Sequence, residues 1–288
     1  MKPAPFEYFD PRTTEEAVGL LATHGDDAKV LAGGQSLVPM LALRLARPSV
    51  LIDVNRIGGL DAVQQSGATV SVGALVRQRA LERWAGERAP LLAAALRHVG
   101  HAPIRARGTV AGSVVHADPA SELPALLLCL DGAVIARSRR GTRTIAAGDF
   151  FQGPLMTALA SDELVTETRW TLPAAHAGWG FREMARRHGD FALVGVAVAL
   201  TLARGAVAQA RIALFGAAAT PVRAREAERA LTGQRPSDHV LAEAARAATT
   251  GLETVADIHA PAAYRASVAR TLTTRALADA VARAKDAA

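Results

Sequence analysis

The chain has 288 residues, half of them hydrophobic, which is enough for two or three modest domains with a sizeable core. Its one cysteine, Cys129, excludes an internal disulfide and any iron–sulfur cluster or cysteine-rich zinc site held by this chain alone. The net charge of +6 comes from basic residues that are nearly all arginine and alternate with acidic residues, a pattern that favours a solvated surface over nucleic-acid binding.

No segment of the sequence predicts export or a membrane span. The first residues, "MKPAPFEYFDPRTTEE", lack the apolar stretch of a secretory signal. The longest apolar run, residues 191–202, is too short to cross a bilayer and is typical of a buried strand. We therefore expect a cytoplasmic protein, an expectation that the single cysteine also favours.

The first segments of the chain predict a small parallel sheet with helices beside it. Thr13 and Glu16 have the spacing of a capping box, and the helix that they open ends at Gly25. The stretch "AKVLAGG" is a short strand that runs into two glycines. The next stretch, "SLVPMLALRLARP", reads as a helix with Pro39 in its first turn. "SVLIDV" is a second buried strand, so the order is strand, helix, strand.

The middle of the chain alternates short strands and helices. "LDAVQQSGATVSVGA" predicts a hairpin around Gly67, and "RQRALERWAGE" and "PLLAAALRHVG" predict two helices. A long loop is expected over residues 101–122, followed by the apolar "LPALLLCLDGAVIAR" and by strands around "RTIAA" and "ELVTETRWTL". Residues 173–178 form the best candidate for a linker.

The last third predicts an antiparallel sheet backed by helices. Residues 179–216 contain three strands with turns at Gly189 and Gly205. Helical segments follow, one of them after a predicted N-cap at Ser237, and a long helix begins at Pro261.

The stretch "LAGGQSLVP", residues 31–39, is a candidate phosphate-binding bend. Glycines reach positive φ at little cost and let a ligand approach the main chain. Successive N–H groups in such a bend, together with the start of a helix, suit an anion. An ordinary strand-to-helix turn explains the same residues equally well.

A second stretch, "RGTVAGSVVHADPASE" over residues 107–122, combines glycines, hydroxyl groups and acids. Hydroxyl and amide groups can donate to phosphate oxygens, whereas carboxylates can accept hydrogen bonds from a sugar or polyol. One loop that supplies both fits a ligand with phosphates at one end and a polyol at the other. The alternative is a long surface loop.

These two stretches resemble the FAD-binding medium subunit of molybdenum hydroxylases of the carbon monoxide dehydrogenase and xanthine dehydrogenase type. The resemblance continues through "AAGDFFQGPLMTALASDELVTE", "FREMARRHGDFALVGVAVAL" and "GAAATPVRAREAERALTG" to "PAAYRASVARTLTTRAL", nearly the whole chain. It implies an α+β fold with a vanillyl-alcohol-oxidase-type (PCMH) FAD-binding domain of two α+β lobes, and a C-terminal antiparallel sheet backed by helices. The implied domains are residues 1–175, with lobes of about 1–56 and 57–175, and residues 176–288.

The resemblance also implies which residues bind FAD. Residues 32–36 would wrap the pyrophosphate, and the second stretch would contact the phosphate and the ribityl chain. Glu122 stands where relatives usually have Asp, Arg182 where they often have Lys, and Ala111 where they usually have a second glycine. The full set is Leu31, Ala32, Gly33, Gly34, Gln35, Ser36, Leu37, Thr109, Gly112, Ser113, His116, Asp118, Glu122, Leu164 and Arg182.

By the same resemblance, the chain is the electron-transfer subunit of a larger oxidoreductase and binds FAD noncovalently. A large partner subunit would carry the molybdenum cofactor and a small one the 2Fe–2S clusters, in a dimer of heterotrimers. The flavin would pass electrons to NAD, a quinone or oxygen. The lone cysteine agrees, because the clusters must then lie on another chain.

Other functions remain open at this point. A free-standing FAD-dependent oxidase of the same fold is the main alternative, and the basic charge permits a nucleic-acid-binding module. The stretch "GQSLV" is one residue away from a hydrolase elbow, but Val38 occupies the place of the second glycine. No metal ligand set is predicted. Cys129 lies in an apolar run and is expected to be a core side chain.

Overall fold

The computed structural model describes residues 2–287. The first part contains β1 (Glu7–Phe9), α1 (Thr14–His24), β2 (Ala28–Leu31), α2 (Leu37–Ala42) and β3 (Val50–Asp53). Its three strands form a parallel sheet in the order β1-β3-β2, which confirms the predicted parallel sheet. The sequence did not predict β1, because three residues are too few to show a strand period.

The second part holds a five-stranded antiparallel sheet with helices against it. Its elements are β4 (Val63–Ser66), β5 (Thr69–Gly73), α3 (Gln78–Ala85), α4 (Pro90–Leu96), α5 (Ala102–Arg107), α6 (Val110–His116), α7 (Glu122–Cys129), β6 (Ala133–Ser138), β7 (Gly141–Ala146), α8 (Ala147–Phe150), β8 (Phe151–Gly153), β9 (Met156–Thr157) and β10 (Leu164–Thr171). The sheet order is β4-β5-β10-β6-β7, and β8 pairs with β9. Every residue of α7 is buried, which explains why this helix is apolar on all sides.

The long loop predicted over residues 101–122 is largely helical, so that prediction is wrong. It contains α5 and α6 and ends at the first residue of α7. The Thr109 hydroxyl caps α6 by accepting a hydrogen bond from the Gly112 N–H at 3.0 Å, and Val110 and Val114 are buried. Glycine, serine, threonine and valine have weaker helix propensity than alanine, but burial of one face stabilises such short helices once the domain is assembled.

Helix α2 is shorter than the sequence predicts. It ends at Ala42, and Arg44 has a φ of +58°, in the left-handed region. The N–H of Leu45 donates back to the carbonyl of Met40 at 2.9 Å and closes the helix end. Leu43 and Leu45 are exposed, so no apolar packing sustains further turns.

The third part is an antiparallel sheet with three helices. Its elements are β11 (Gly178–Ala185), β12 (Ala192–Ala203), β13 (Ala206–Phe215), β14 (Val222–Arg223), α9 (Arg225–Leu231), α10 (Asp238–Thr249) and α11 (Ala262–Asp286). The predicted three strands and the cap of α10 by Ser237, whose Oγ accepts from the Val240 N–H, are confirmed. Although α11 has 25 residues, no helix within residues 2–287 has the apolar length that a membrane span requires.

The sheet of the third part is covered on both faces. On one face α11 lies directly on β11, since a Cβ at Gly180 would come within 2.0 Å of the Ala276 carbonyl oxygen. The other face contributes Phe181, Ala197 and Phe215 to the core of the second part. The turn between β11 and β12 is thereby brought to the second part of the chain, next to the start of α5.

Candidate ligand-binding cleft

A cleft of about 1340 Å³ is lined by all three parts of the chain. Small-molecule sites usually measure roughly 300–1,000 Å³, so this cleft suits a large ligand. Both glycine-containing stretches line it, at residues 32–37 and at residues 108–122. Tertiary folding therefore brings together two segments that lie about seventy residues apart in the chain.

The first stretch connects β2 to α2 and presents free backbone donors. Gly34 has a φ of +71°, which a glycine adopts without strain. None of the N–H groups of residues 33–37 donates a hydrogen bond to a backbone acceptor within residues 2–287. Five consecutive free donors at the start of a helix form a site that favours an anion.

The two stretches touch each other at Gly33. A Cβ at this position would lie 2.5 Å from the Arg107 carbonyl oxygen, 2.7 Å from the Gly108 Cα and 2.9 Å from the Thr109 nitrogen. These neighbours are all backbone atoms and cannot rotate away. Only glycine therefore allows the two stretches to meet along one wall of the cleft.

A hydrogen-bonded clamp, which the sequence did not predict, holds the two stretches together from behind. Arg77 donates to the Arg107 carbonyl at 2.6 Å and to the Asn55 side chain at 2.7 Å. Asn55 in turn donates to the Ala32 carbonyl at 2.8 Å. The only local signal was the position of Asn55 just after a buried strand, since Arg77 looks like any surface arginine in the sequence.

The second stretch supplies the start of α6 and a series of polar groups. A Cβ at Gly112 would come 2.5 Å from the Thr109 Oγ1, so glycine is needed for the helix cap. Ala111, where a second glycine was expected, is buried and its methyl group fits. Ser113 also lines the cleft, so its hydroxyl is available to a ligand.

Acidic groups lie at the far end of the second stretch. Asp118 accepts a hydrogen bond from the Ala120 N–H at 2.8 Å, which holds the carboxylate in place. Glu122 begins α7 and is buried, and this burial raises the pKa of Glu122 to about 7. Such carboxyl groups can accept hydrogen bonds from the hydroxyls of a polyol.

An apolar wall completes the cleft. It consists of Val99, Ile104, Leu155, Leu159 and Leu164. Leu155 has a φ of +57°, which is rare for a branched residue, and its N–H donates to the Ala117 carbonyl at 3.0 Å. A flat aromatic ring system fits such a surface.

The structure places all but two of the residues implied by resemblance along this cleft. Leu31 packs beneath the loop, near Gly34, and does not line the cavity. Arg182 does not line the cleft: it lies on the face of β11 that α11 covers, where its guanidinium donates to the Asp279 carboxylate at 2.7 and 2.9 Å. The contact of Arg182 with the cofactor stays a prediction, and the pairing of this side chain with Asp279 argues against it.

The third part contributes cleft residues that the sequence did not identify. Arg186 and Arg187 lie on the turn after β11, with Phe191 close by. Asp257 and Arg265 reach the cleft from the segment before α11 and from α11 itself, and they pair at 2.6 Å.

Cys129 has no place in the cleft. It is fully buried in α7, and its Sγ lies 3.6 Å from the carbonyl oxygens of Ala197 and Arg211. Burial raises the pKa of the Cys129 thiol to about 12. The prediction that Cys129 is a core side chain is confirmed. Within the part of the chain that the structure describes, no group of three or more His, Cys, Asp or Glu residues is arranged to hold a metal ion.

Comparison with known proteins matches both halves of the chain to known domain families. Residues 4–173 match the FAD binding domain in molybdopterin dehydrogenase, and residues 179–280 match the CO dehydrogenase flavoprotein C-terminal domain. The chain is 42% identical to the 6-hydroxypseudooxynicotine dehydrogenase complex subunit alpha of Paenarthrobacter nicotinovorans, over 99% of this chain and 97% of that protein. It is 38% identical to the caffeine dehydrogenase subunit beta of Pseudomonas sp. (strain CBB1), over 96% of this chain and 95% of the other.

The fold agrees with the sequence comparison. The structure of carbon monoxide dehydrogenase from Hydrogenophaga pseudoflava contains a chain that superimposes with a TM-score of 0.95 at 39% identity. The match covers 98% of this chain and 99% of that one.

Proposed function

The chain belongs to the family of FAD-binding medium subunits of molybdenum-containing oxidoreductases, and from this we propose that it transfers electrons between a partner subunit and an external acceptor. The observation that carries the proposal is the contact of the two glycine-containing stretches at Gly33, beside a row of free backbone donors. Bound FAD supplies the chemistry, since its isoalloxazine ring accepts and releases electrons.

The residues of the cleft fit FAD. The free N–H groups of residues 33–37 can donate to the pyrophosphate, whose negative charge also suits the start of α2. Thr109 and Ser113 offer hydroxyl groups from the second stretch, while Asp118 and Glu122 can accept from the ribityl hydroxyls. Leu164 and its apolar neighbours can cover a face of the ring system.

The proposed binding set is the implied set without Leu31 and Arg182. It consists of Ala32, Gly33, Gly34, Gln35, Ser36, Leu37, Thr109, Gly112, Ser113, His116, Asp118, Glu122 and Leu164. Binding is noncovalent in this proposal.

Partner subunits complete the electron route. We place the 2Fe–2S clusters on a small subunit and the molybdenum cofactor on a large one, in a dimer of heterotrimers. The single cysteine supports this division, because a 2Fe–2S cluster needs four ligands, mainly cysteines. The final acceptor is NAD, a quinone or oxygen.

In this proposal a partner subunit, and not this chain, recognises the substrate of the complex. The names of its relatives refer to nicotine, caffeine and carbon monoxide, which share no chemical feature that one pocket could recognise. A chain of one fold that serves such different substrates acts after substrate oxidation and does not contact the substrate.

The test is the absorbance spectrum of the purified full chain, alone and co-purified with its partner subunits. We expect the isolated chain to bind FAD, to show flavin bands and to release the flavin on acid precipitation. Iron–sulfur absorbance should appear only in the complex. A chain that binds no FAD contradicts the proposal.

The same preparation separates the alternatives. A free-standing oxidase would consume oxygen with an alcohol as the only substrate, whereas the proposed subunit would not. A nucleic-acid-binding module would lack flavin and would bind DNA with an affinity that falls steeply with salt.

A further inference from the structure

Consecutive carbonyl groups of the first glycine-containing stretch are each held by a hydrogen bond. The Ala32 carbonyl accepts from the side-chain amide of Asn55 at 2.8 Å. The Gly33 carbonyl accepts from the side-chain amide of Gln35 at 3.1 Å. The next carbonyl, that of residue 34, accepts from a backbone N–H of α2 at 3.0 Å. The protein itself therefore sets the orientation of the peptide groups in this bend.

These hydrogen bonds also fix the direction of the free backbone donors. A trans peptide group is planar, so its carbonyl and its N–H point in opposite directions. The bond from Asn55 to the Ala32 carbonyl therefore turns the N–H of Gly33 away from Asn55, and the bond to the Gly33 carbonyl fixes the N–H of Gly34 in the same way. Neither N–H donates to a backbone acceptor within residues 2–287. In a turn of this kind, successive N–H groups form a concave site for an anion.

Among the groups that hold these carbonyls, Asn55 is the one that comes from a distant part of the chain. Its side chain does not line the cleft, although Ala32 does. The second N–H of the Asn55 amide donates to the Asp53 carboxylate at 2.6 Å, and the amide oxygen accepts from Arg77 at 2.7 Å. Because the Arg77 guanidinium can only donate, the amide cannot turn over without losing its partners. Asn55 therefore always presents a donor to the Ala32 carbonyl.

The Asp53 carboxylate anchors the Asn55 amide to the parallel sheet. One of its oxygens also accepts from the Asn55 backbone N–H at 2.9 Å. The other oxygen accepts from the Tyr8 hydroxyl at 2.7 Å. Tyr8 lies on β1 and Asp53 ends β3, so the network spans two neighbouring strands. The sheet, and not a ligand, therefore determines where the Asn55 donor lies.

Resting on the proposed function, we propose that Asn55 is a positioning residue for the diphosphate of FAD: by holding the Ala32 carbonyl, it aims the Gly33 N–H at this part of the cofactor. Asn55 does not touch the ligand and acts through one peptide group. Without its donor that peptide group is free to rotate, and the cost of ordering it again falls on binding. Only a ligand that carries the diphosphate meets this cost, so Asn55 also strengthens the preference of the chain for a dinucleotide over a flavin without phosphate.

The test compares Asn55→Ala with the wild type. The full FAD-free chain is titrated in a calorimeter with FAD, ADP and riboflavin. ADP carries the diphosphate without the flavin ring, whereas riboflavin carries the ring and the ribityl chain without phosphate. We expect FAD and ADP to bind the variant about tenfold more weakly, the size of effect that loss of a hydrogen bond produces. The dissociation constant of riboflavin should stay within about twofold of the wild-type value.

Gln65→Ala is the matched control. The Gln65 side chain donates to the Gly67 carbonyl at 3.0 Å in the turn between β4 and β5, and neither residue lines the cleft. The substitution thus removes the same kind of amide-to-carbonyl hydrogen bond at an exposed turn away from the proposed cofactor site. All three ligands should bind this variant as they bind the wild type. Urea unfolding of both FAD-free variants shows how much each hydrogen bond contributes to the fold alone.

Phosphorus NMR of the FAD-loaded chain gives a readout that does not depend on affinity. At saturating FAD, the diphosphate resonances in Asn55→Ala should differ from those in the wild type, because one N–H donor has lost its fixed direction. They should keep their wild-type positions in Gln65→Ala. The visible absorbance of the bound flavin should be the same in all three proteins, since contacts with the ring are unchanged.

The positioning role is refuted if Asn55→Ala binds FAD and ADP as tightly as the wild type and the phosphorus resonances do not move. Equal losses of affinity for all three ligands, together with a lower free energy of unfolding than in Gln65→Ala, would make Asn55 a structural residue only. These results leave the proposed function intact as long as the wild type binds FAD. If the wild-type chain binds no FAD, the proposed function itself fails.

Discussion

Replacing Gly33 with alanine tests whether the contact between the two glycine-containing stretches forms the cofactor site. The new methyl group would lie 2.5 Å from the Arg107 carbonyl oxygen and 2.7 Å from the Gly108 Cα. To reach ordinary contact distances the two backbone segments must separate by about 0.5–1 Å. Overpacking of this kind costs about 1–3 kcal/mol.

That cost converts to a measurable loss of affinity. If FAD binding must draw the separated stretches together again, 1–3 kcal/mol corresponds to a dissociation constant about 5- to 150-fold higher. Titration of the flavin-free chain with FAD, followed by calorimetry or flavin fluorescence, measures it. Thermal unfolding of the unloaded variant shows how much of the cost falls on the fold itself.

Gly58→Ala is the matched control. A Cβ at Gly58 meets no heavy atom within 4 Å, and its φ is not positive, so the same substitution introduces no clash. We expect FAD affinity within about twofold of the wild type. If Gly33→Ala binds FAD as tightly as Gly58→Ala, the two stretches do not enclose the ligand together and the reasoning is refuted.

Two predictions concern stability. Arg265→Met removes a buried guanidinium that donates to the carbonyls of Leu193 at 2.6 Å and Gly216 at 2.7 Å. The free energy of unfolding in urea should therefore fall by about 2–5 kcal/mol, whereas the exposed Arg246→Met should leave it almost unchanged. Equal losses in the two variants would contradict this prediction. Burial raises the pKa of Glu183 from 4.5 to about 8 in the folded chain, so its neutral form favours folding. As the pH rises from 4.5 to about 8, the wild type should therefore lose stability relative to Glu183→Gln, by up to roughly 1.4 kcal/mol for each pH unit. Urea unfolding across that range measures the difference, and parallel curves for the two proteins would disprove it.

Local patterns in the sequence were sufficient for much of the fold. The strand β12 is an almost entirely apolar run, and the caps at Thr13 and Ser237 lie within a few residues of the helices that they begin. The same patterns failed over residues 101–122, because glycine and small side chains look like loop until their burial against neighbouring elements is known.

The two glycine-containing stretches could likewise be found in the sequence, and resemblance to a known family joined them into one site. Their contact at Gly33, the clamp through Arg77 and Asn55, and the pairing of Arg182 with Asp279 appear only in the folded chain.

What the sequence determined by itself were most of the secondary elements and the residue types available to a ligand, since both depend largely on neighbours within one turn or one strand. Only the tertiary structure decided which groups face the cleft and which acidic side chain, that of Glu183, is buried. Those outcomes depend on contacts between segments tens of residues apart, such as that of His98 with Glu183, and no local pattern encodes such contacts.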